Sequence, residues 1–365
     1  MKKYLSLLLV LLLAFGLVGC GSPKASETPV ATEAPAATEA PTEAPAANEE
    51  SAESNYLVGS LIYAFANDYM SYVRKGISEE AERRGITSEI VDGNNDQAKQ
   101  LDQADTLITK GANALIVAAE ETEACQTFVD KSKAADIPLI LVNKKPAQEV
   151  IDSYDKCWYV GAATQQPGEC QAEMIVEDWA KHPEWDKNGD GILQYVLILG
   201  LKGHVNAEAR VVGMNLVFDR EDFKREELDM QEGKWDTTTA KDLTDAWMMK
   251  FGDKIEMIIS NNDAMALGAI ESMTANGYTG EKAIPVYGIN AIEAGLQALR
   301  DGTMMGTVMS DMISEGAVCV QVADNVLNGK DPYEGISYDV VDKSIAIYGL
   351  PIRLENIADA EFMYQ

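Results

Sequence analysis

Residues Asp186 to Gln194 read D-K-N-G-D-G-I-L-Q, a run that can wrap a calcium ion. Oxygen-bearing side chains fall at its first, third, fifth and ninth positions: Asp186, Asn188, Asp190 and Gln194. The seventh, Ile192, can offer only its backbone carbonyl. Gly191 stands sixth, where an EF-hand loop makes its sharp turn. The twelfth position should supply a bidentate Glu but is Leu197. Calcium takes six to eight oxygens, so the missing carboxylate must come from elsewhere in the chain. The apolar run I-L-Q-Y-V-L-I-L-G after Gly191 reads as a strand, which excludes an ordinary helix–loop–helix. A solvated turn would explain D-x-N-x-D alone; the Gly at six and the oxygen at nine favour a metal loop.

A second constellation is dispersed. It comprises Asn67, Asp68 and Tyr69; Asn143; His204, Asn206 and Arg210; Trp235; Asn261, Asn262 and Asp263; Asn290; and Ser310. Nearly every group follows a short apolar run. Amides both donate and accept, which matches the hydroxyls of a sugar. Flat rings such as Tyr69 and Trp235 suit the apolar faces of a pyranose. Taken singly, each Asn is as readily a helix N-cap or turn residue, and Trp235 as readily core. The recurrence after strand upon strand is what points to a ligand site. No G-x-S-x-G, Cys–His pair or phosphate-cradling G-x-x-x-x-G-K-[ST] is present, so no activated nucleophile is evident.

The elements that must position these residues follow from periodicity. Apolar runs at Leu57–Tyr63, Ala114–Ala119, Pro138–Val142, Tyr195–Leu199, Ile255–Ile259, Pro285–Ile289 and Gly306–Met309 alternate with helix-length amphipathic segments. The first is followed by D-Y-M-S-Y-V-R-K-G-I-S-E-E-A-E-R-R-G, a helix stopped by Gly85. This is the pattern of βαβ units and parallel sheets buried on both faces, hence an α/β fold. In such sheets ligands bind beyond the carboxyl ends of the strands.

The N-terminus carries an export signal. Lys2 and Lys3 precede an apolar stretch from Leu5 to Val18, then Leu17-Val18-Gly19-Cys20. A Cys directly after a small residue resembles a bacterial lipoprotein box, which implies cleavage before Cys20 and a lipid on it. Residues 21–54 are rich in Pro, Ala, Thr and Glu and too poor in bulk to fold, so they read as a tether. About 310 residues remain, enough for two domains. The net charge of −29 argues against nucleic acid. The chain therefore reads as extracytoplasmic, held at the membrane by lipid at Cys20 without spanning it. Two His and widely spaced Cys125, Cys157, Cys170 and Cys319 match no zinc motif, and no pairing of these cysteines is expected.

The chain resembles the galactose/glucose-binding family of periplasmic binding proteins, which serve sugar ABC transporters and have a LacI-like fold. The resemblance rests on M70-S-Y-V-R-K, N94-N-D-Q-A-K-Q-L-D-Q, V142-N-K-K-P, W185-D-K-N-G-D-G, A207-E-A-R, W235-D-T and S260-N-N-D-A-M-A-L-G-A, and runs from about Val58 to Ile357. It implies two doubly wound parallel-sheet lobes joined by a three-crossing hinge and closing on the sugar. The expected lobes are 55–161 with 312–346, and 162–311 with 347–365. It implies a structural Ca²⁺ completed by Glu256, and sugar contacts at Tyr69, Asn143, His204, Arg210, Trp235 and Asn262. Four contact positions depart: Asn67, Asn206 and Asn290 stand where the family has Asp, and Ser310 where it has Asn. Arg210 thereby loses an acidic partner one turn earlier, which an anionic sugar such as a uronate would replace. The implied protein is a monomeric monosaccharide receptor for an ABC permease, with a role in chemotaxis left open. An enzyme would need paired carboxylates across the glycosidic bond, which these departures remove. A DNA-binding regulator is opposed by the export signal and the acidity.

Overall fold

The computed structural model describes residues 56–364. The export signal, Cys20 and the 21–54 tract lie outside the described residues.

Strands β1 (Leu57–Ile62), β2 (Thr87–Asp92), β3 (Ala114–Ala118), β4 (Leu139–Val142) and β5 (Cys157–Ala162) build most of a first sheet. Between them run helices α1 (Asp68–Arg83), α2 (Gln97–Thr109), α3 (Cys125–Ala134) and α4 (Gln148–Asp152). After α5 (Gln166–Lys181), a second sheet is built from β6 (Leu193–Leu199), β7 (Arg225–Glu232), β8 (Met257–Ser260) and β9 (Val286–Tyr287). Its helices are α6 (Val205–Arg220), α7 (Thr237–Phe251), α8 (Asp263–Ala275) and α9 (Glu293–Arg300). Then come β10 (Thr307–Met309), α10 (Met312–Leu327), β11 (Asp339–Val341), β12 (Ser344–Ile347), β13 (Leu350–Ile352) and α11 (Ala358–Glu361).

The first sheet has the order β11-β12-β5-β4-β3-β1-β2, parallel except for the β11–β12 pair. The second has the order β7-β6-β8-β9, all parallel. β10 bridges to β9 and pairs antiparallel with β13. The chain thus leaves the first sheet after β5, returns through α10 to β12, and leaves again to β13. Both sheets show the two-sided burial expected of parallel strands. Leu61, Leu115, Leu139 and Tyr159 pack in one cluster, while Val58, Ile116, Ile140 and Val160 face another. In the second sheet Tyr195, Leu197 and Ile259 face one side, and Val196, Ile198 and Ile258 the other.

The apolar runs all carry strands, with no end shifted by more than two residues. The runs did not reveal β2, β5, β7 or the three C-terminal strands. β2 (TSEIVD) and β7 (REELDMQE) are edge strands facing solvent, so charge interrupts their pattern. Helix α1 ends at Arg83, and Gly85 takes φ +67° beyond it. No described helix is long and apolar enough to cross a membrane. The four cysteines among the described residues are free and buried.

Candidate functional site

Asn67 caps α1: its Oδ1 accepts the Met70 N–H at 3.1 Å, leaving its amide nitrogen uncommitted among the described residues. Asn262 does the same for α8 through Met265 N–H at 2.9 Å. Capping and ligand contact are therefore compatible roles for one side chain. Asn143 follows β4 at φ +73°, a conformation Asn tolerates better than most residues. Its carbonyl accepts from Tyr159 Oη at 3.0 Å and from Asn206 Nδ2 at 3.2 Å. The second bond joins a residue after β4 of the first sheet to one on α6, beside the second.

His204 caps α6, its Nδ1 accepting the Asn206 N–H at 3.2 Å. The neutral ring therefore carries its proton on Nε2. Burial, then the nearby Lys144 and Arg210 charges, press its pKa down to about 4. Its ring meets Trp235 edge-on at 5.3 Å. Trp235 itself sits at φ +60°, after Lys234 at φ +55°, a strained path for non-glycine residues. Gly200 makes room for that ring: a Cβ there would lie 2.1 Å from Trp235 Cη2.

Arg210 is buried, and its Nη1 donates to the Asn261 carbonyl. Its guanidinium lies 5.7 Å from the Trp235 ring centre. Desolvation lowers its pKa, opposed by electrostatic attraction towards Tyr69, Asp263 and Glu315. Asn290, at φ +120°, donates through Nδ2 to Ser310 Oγ at 3.1 Å. Beside it, buried Asp263 accepts from Thr307 Oγ1 at 2.6 Å and from Ile292 N–H at 2.9 Å, which fixes the loop carrying Asn290.

Asn67, Tyr69, Asn143, His204, Asn206, Arg210, Trp235, Asn262 and Asn290 line one cavity of about 620 Å³, whereas Asn261, Asp263 and Ser310 do not reach it. Ser310 is buried behind Asn290: its short side chain supports that amide rather than reaching the cavity. The cavity is also lined by Tyr63, Asp68, Asn95, Glu120, Lys144, Lys234 and Asp236, which had not been singled out for ligand contact apart from Asp68. Each follows a strand, so strand ends were the right signal; Asn95 and Lys234 were missed because β2 and β7 were. Lys144 lies 3.6 Å from the Glu120 carboxylate and 4.3 Å above the Tyr63 ring. Three basic groups (Lys144, Arg210, Lys234) and three acidic ones (Asp68, Glu120, Asp236) belong to this lining. The cavity is thus balanced within a chain of net charge −29.

The Asp186–Gln194 loop lies apart from this cavity. Gly189 and Gly191 take φ +74° and +73°, and Asp186 carboxylate oxygens accept the N–H groups of Gly189, Asp190 and Gly191. Asn188 Nδ2 reaches Asp190 Oδ2 and Gln194 Oε1, both at 3.0 Å. Ile192 N–H donates to Asp190 Oδ1 at 2.8 Å. Glu256, 1% exposed, does reach the loop: its oxygens accept from Lys187 N–H at 2.8 Å and Gln194 N–H at 3.0 Å. Among the described residues no group of three or more His, Cys, Asp or Glu is placed to share an ion. The donors here mix carboxylates with amides, a hard-oxygen set suited to calcium rather than to zinc.

A periplasmic binding protein domain model matches residues 58–331. The chain is 35% identical over 304 residues to the D-galactose/methyl-galactoside binding periplasmic protein of Haemophilus influenzae, covering 83% of this chain and 91% of that protein. It is 26% identical to the ribose import binding protein of Bacillus subtilis, covering 78% and 86%. Among solved structures, an ABC transporter solute binding protein from Bacillus halodurans with bound myo-inositol superimposes with a TM-score of 0.70 at 26% identity, covering 86% and 99%.

Two outcomes follow. In an NMR titration the His204 imidazole stays neutral from pH 8 to 5; a midpoint near 6.5 would contradict the buried environment. Because its folded pKa lies below the unfolded one, its contribution to stability is whole above about 6.5 and lost as pH falls towards about 4. Gly200→Ala overpacks the Trp235 ring and lowers stability by about 1–3 kcal/mol in urea denaturation; an unchanged midpoint would mean that the ring moves freely.

Proposed function

The chain belongs to the periplasmic binding protein family, a family of solute-binding proteins rather than enzymes with the type I two-sheet fold, and from that premise we propose that it captures a monosaccharide of the galactose or glucose type outside the cytoplasm and delivers it to an ABC permease. The observation that carries this reading is the single cavity in which Tyr69, Trp235, His204 and the amides of Asn67, Asn143, Asn206, Asn262 and Asn290 converge from the strand ends of both sheets. Rings supply apolar faces and amides supply paired donors and acceptors, which is what a pyranose requires. The 35% relative is named for galactose and methyl-galactoside, which supports that sugar over others. The balanced charge of the lining suits a neutral ligand. The two expected lobes, 55–161 with 312–346 and 162–311 with 347–365, would close on it by hinge bending.

One observation favours a second reading. Arg210 is buried, and no carboxylate among the described residues lies within ion-pair distance of it. Such a cation costs several kcal/mol unless met by opposite charge. A uronate would supply that charge.

We further propose that Asp186, Asn188, Asp190, the Ile192 carbonyl, Gln194 and Glu256 hold a structural Ca²⁺. The support is Glu256, a buried carboxylate brought from 62 residues beyond Gln194 to the loop. The ion would brace the start of β6. Lipidation at Cys20 completes the proposal, on the sequence alone.

Isothermal titration with D-galactose, D-glucose and D-galacturonate separates the readings. Heat from a neutral hexose is expected; heat from the acid alone would establish the second reading, and none from any sugar would remove both. Trp235→Ala should weaken hexose binding by about 2 kcal/mol or more, roughly thirtyfold in Kd. Calcium should raise the thermal midpoint of the wild type over a chelator-treated sample and leave Glu256→Gln unmoved. A wild-type midpoint indifferent to calcium would dismiss the metal.

A further inference from the structure

Glu315 is a buried carboxyl that no role assigned so far uses. It stands four residues past Asp311, the N-cap of α10, just beyond the second passage between the sheets. It is 1% exposed. Its Oε1 accepts from Tyr69 Oη at 2.6 Å, while its Oε2 is buried without a hydrogen-bond partner. A buried carboxyl with half its bonding capacity idle is costly. Nothing in the helix itself calls for an acid there, since Asp311 already caps its first turn.

The backbone around this pair is held tightly. A Cβ on Gly76 of α1 would lie 2.0 Å from the Ile313 carbonyl oxygen of α10. A Cβ on Gly316 of α10 would lie 2.1 Å from the Val73 carbonyl oxygen of α1. The two helices therefore touch through their main chains beside the pair. Tyr69 rides on α1 and Glu315 on α10, so neither end of their hydrogen bond can drift. Tyr69 also lines the sugar cavity, whereas Glu315 does not.

We propose that Glu315 is a positioning and specificity-determining residue: by accepting the Tyr69 phenol proton it pins the ring, so that Tyr69 offers the ligand a flat apolar face and no free hydroxyl donor. Burial pushes the Glu315 carboxyl up to about 8, so near neutral pH it accepts through a carboxyl oxygen and adds little charge to the cavity floor. This rests on the sugar-binding reading above. It makes Tyr69 a stacking group for a C–H face, and leaves recognition of hydroxyls to the amides, His204 and Arg210. Without Glu315 the phenol would be free to turn and to compete for a sugar hydroxyl.

The test is titration calorimetry with D-galactose on wild type, Glu315→Gln, Glu315→Leu, Tyr69→Phe and the Tyr69→Phe/Glu315→Leu double variant. E315L is expected to bind at least tenfold more weakly. E315Q, whose amide oxygen still accepts the phenol, should stay within about threefold of wild type. In the Y69F background E315L should cost no more than about twofold, because the bond it removes is already gone. An E315L variant that binds like wild type, or losses that add in the double variant, would overturn the proposal. A crystal structure of ligand-free E315L reads it without any sugar. A Tyr69 ring turned from its wild-type orientation supports pinning, and an unmoved ring refutes it. If wild type binds no sugar while the ring still turns, it is the sugar reading that has failed.

Discussion

A parallel sheet ends in backbone groups that no neighbouring strand can meet, and this protein depends on how they are met. Buried Gln171 donates to the carbonyls of Ser260 and Gly288, tying the ends of β8 and β9. Gln100 plays the same part in the first sheet, donating to Ala118 and accepting from Glu120 N–H. Asn261 accepts from Gly200 N–H, and Asp92 from Phe65 N–H. Each bond satisfies a group that would otherwise be stranded at a cost of about 1–3 kcal/mol. Together they hold in place the loops from which the cavity is built. Polar side chains at the strand ends thus serve first to finish the sheets, and the ligand site is assembled on a frame already satisfied.

That ordering explains what could be read in the sequence. Central strands announce themselves because both faces are buried, as in LVGSLI or LILV. The residues after them were accordingly found: Asn67, Tyr69, Asn143, His204, Arg210, Asn262 and Asn290 all reach the cavity. β2 and β7 escaped because their exposed edges admit charge, and Asn95 and Lys234 escaped with them. Ser310 was carried over as a ligand contact by position alone, and only its packing behind Asn290 shows that it is one layer back. Glu315 gave no periodic or motif signal at all: a Glu in a helix is ordinarily a solvent-facing residue. Its burial is a product of how closely α1 and α10 approach, which only coordinates display.

The electrostatic character of the cavity also departs from that of the chain. Excess carboxylates give the surface its acidity, yet acidic and basic groups balance in the lining, and the imidazole there is neutral. Arg210 is the exception, anchored to a main-chain carbonyl and leaning towards an indole face. A cation held that way is partly desolvated before any ligand arrives, so its hydrogen bonds to an incoming oxygen are strengthened by the low local dielectric.

The glycines where α1 meets α10 set a boundary on how this receptor can change. Cavity residues such as Asn143, Trp235 and Asn290 hang from loops rather than helices and can be exchanged one at a time. Gly76 and Gly316 tolerate not even one methyl group without parting the helices, because each faces a carbonyl rather than a yielding side chain. Divergence towards new sugars, in nature or by directed evolution, should therefore run through the loops and leave these two codons fixed.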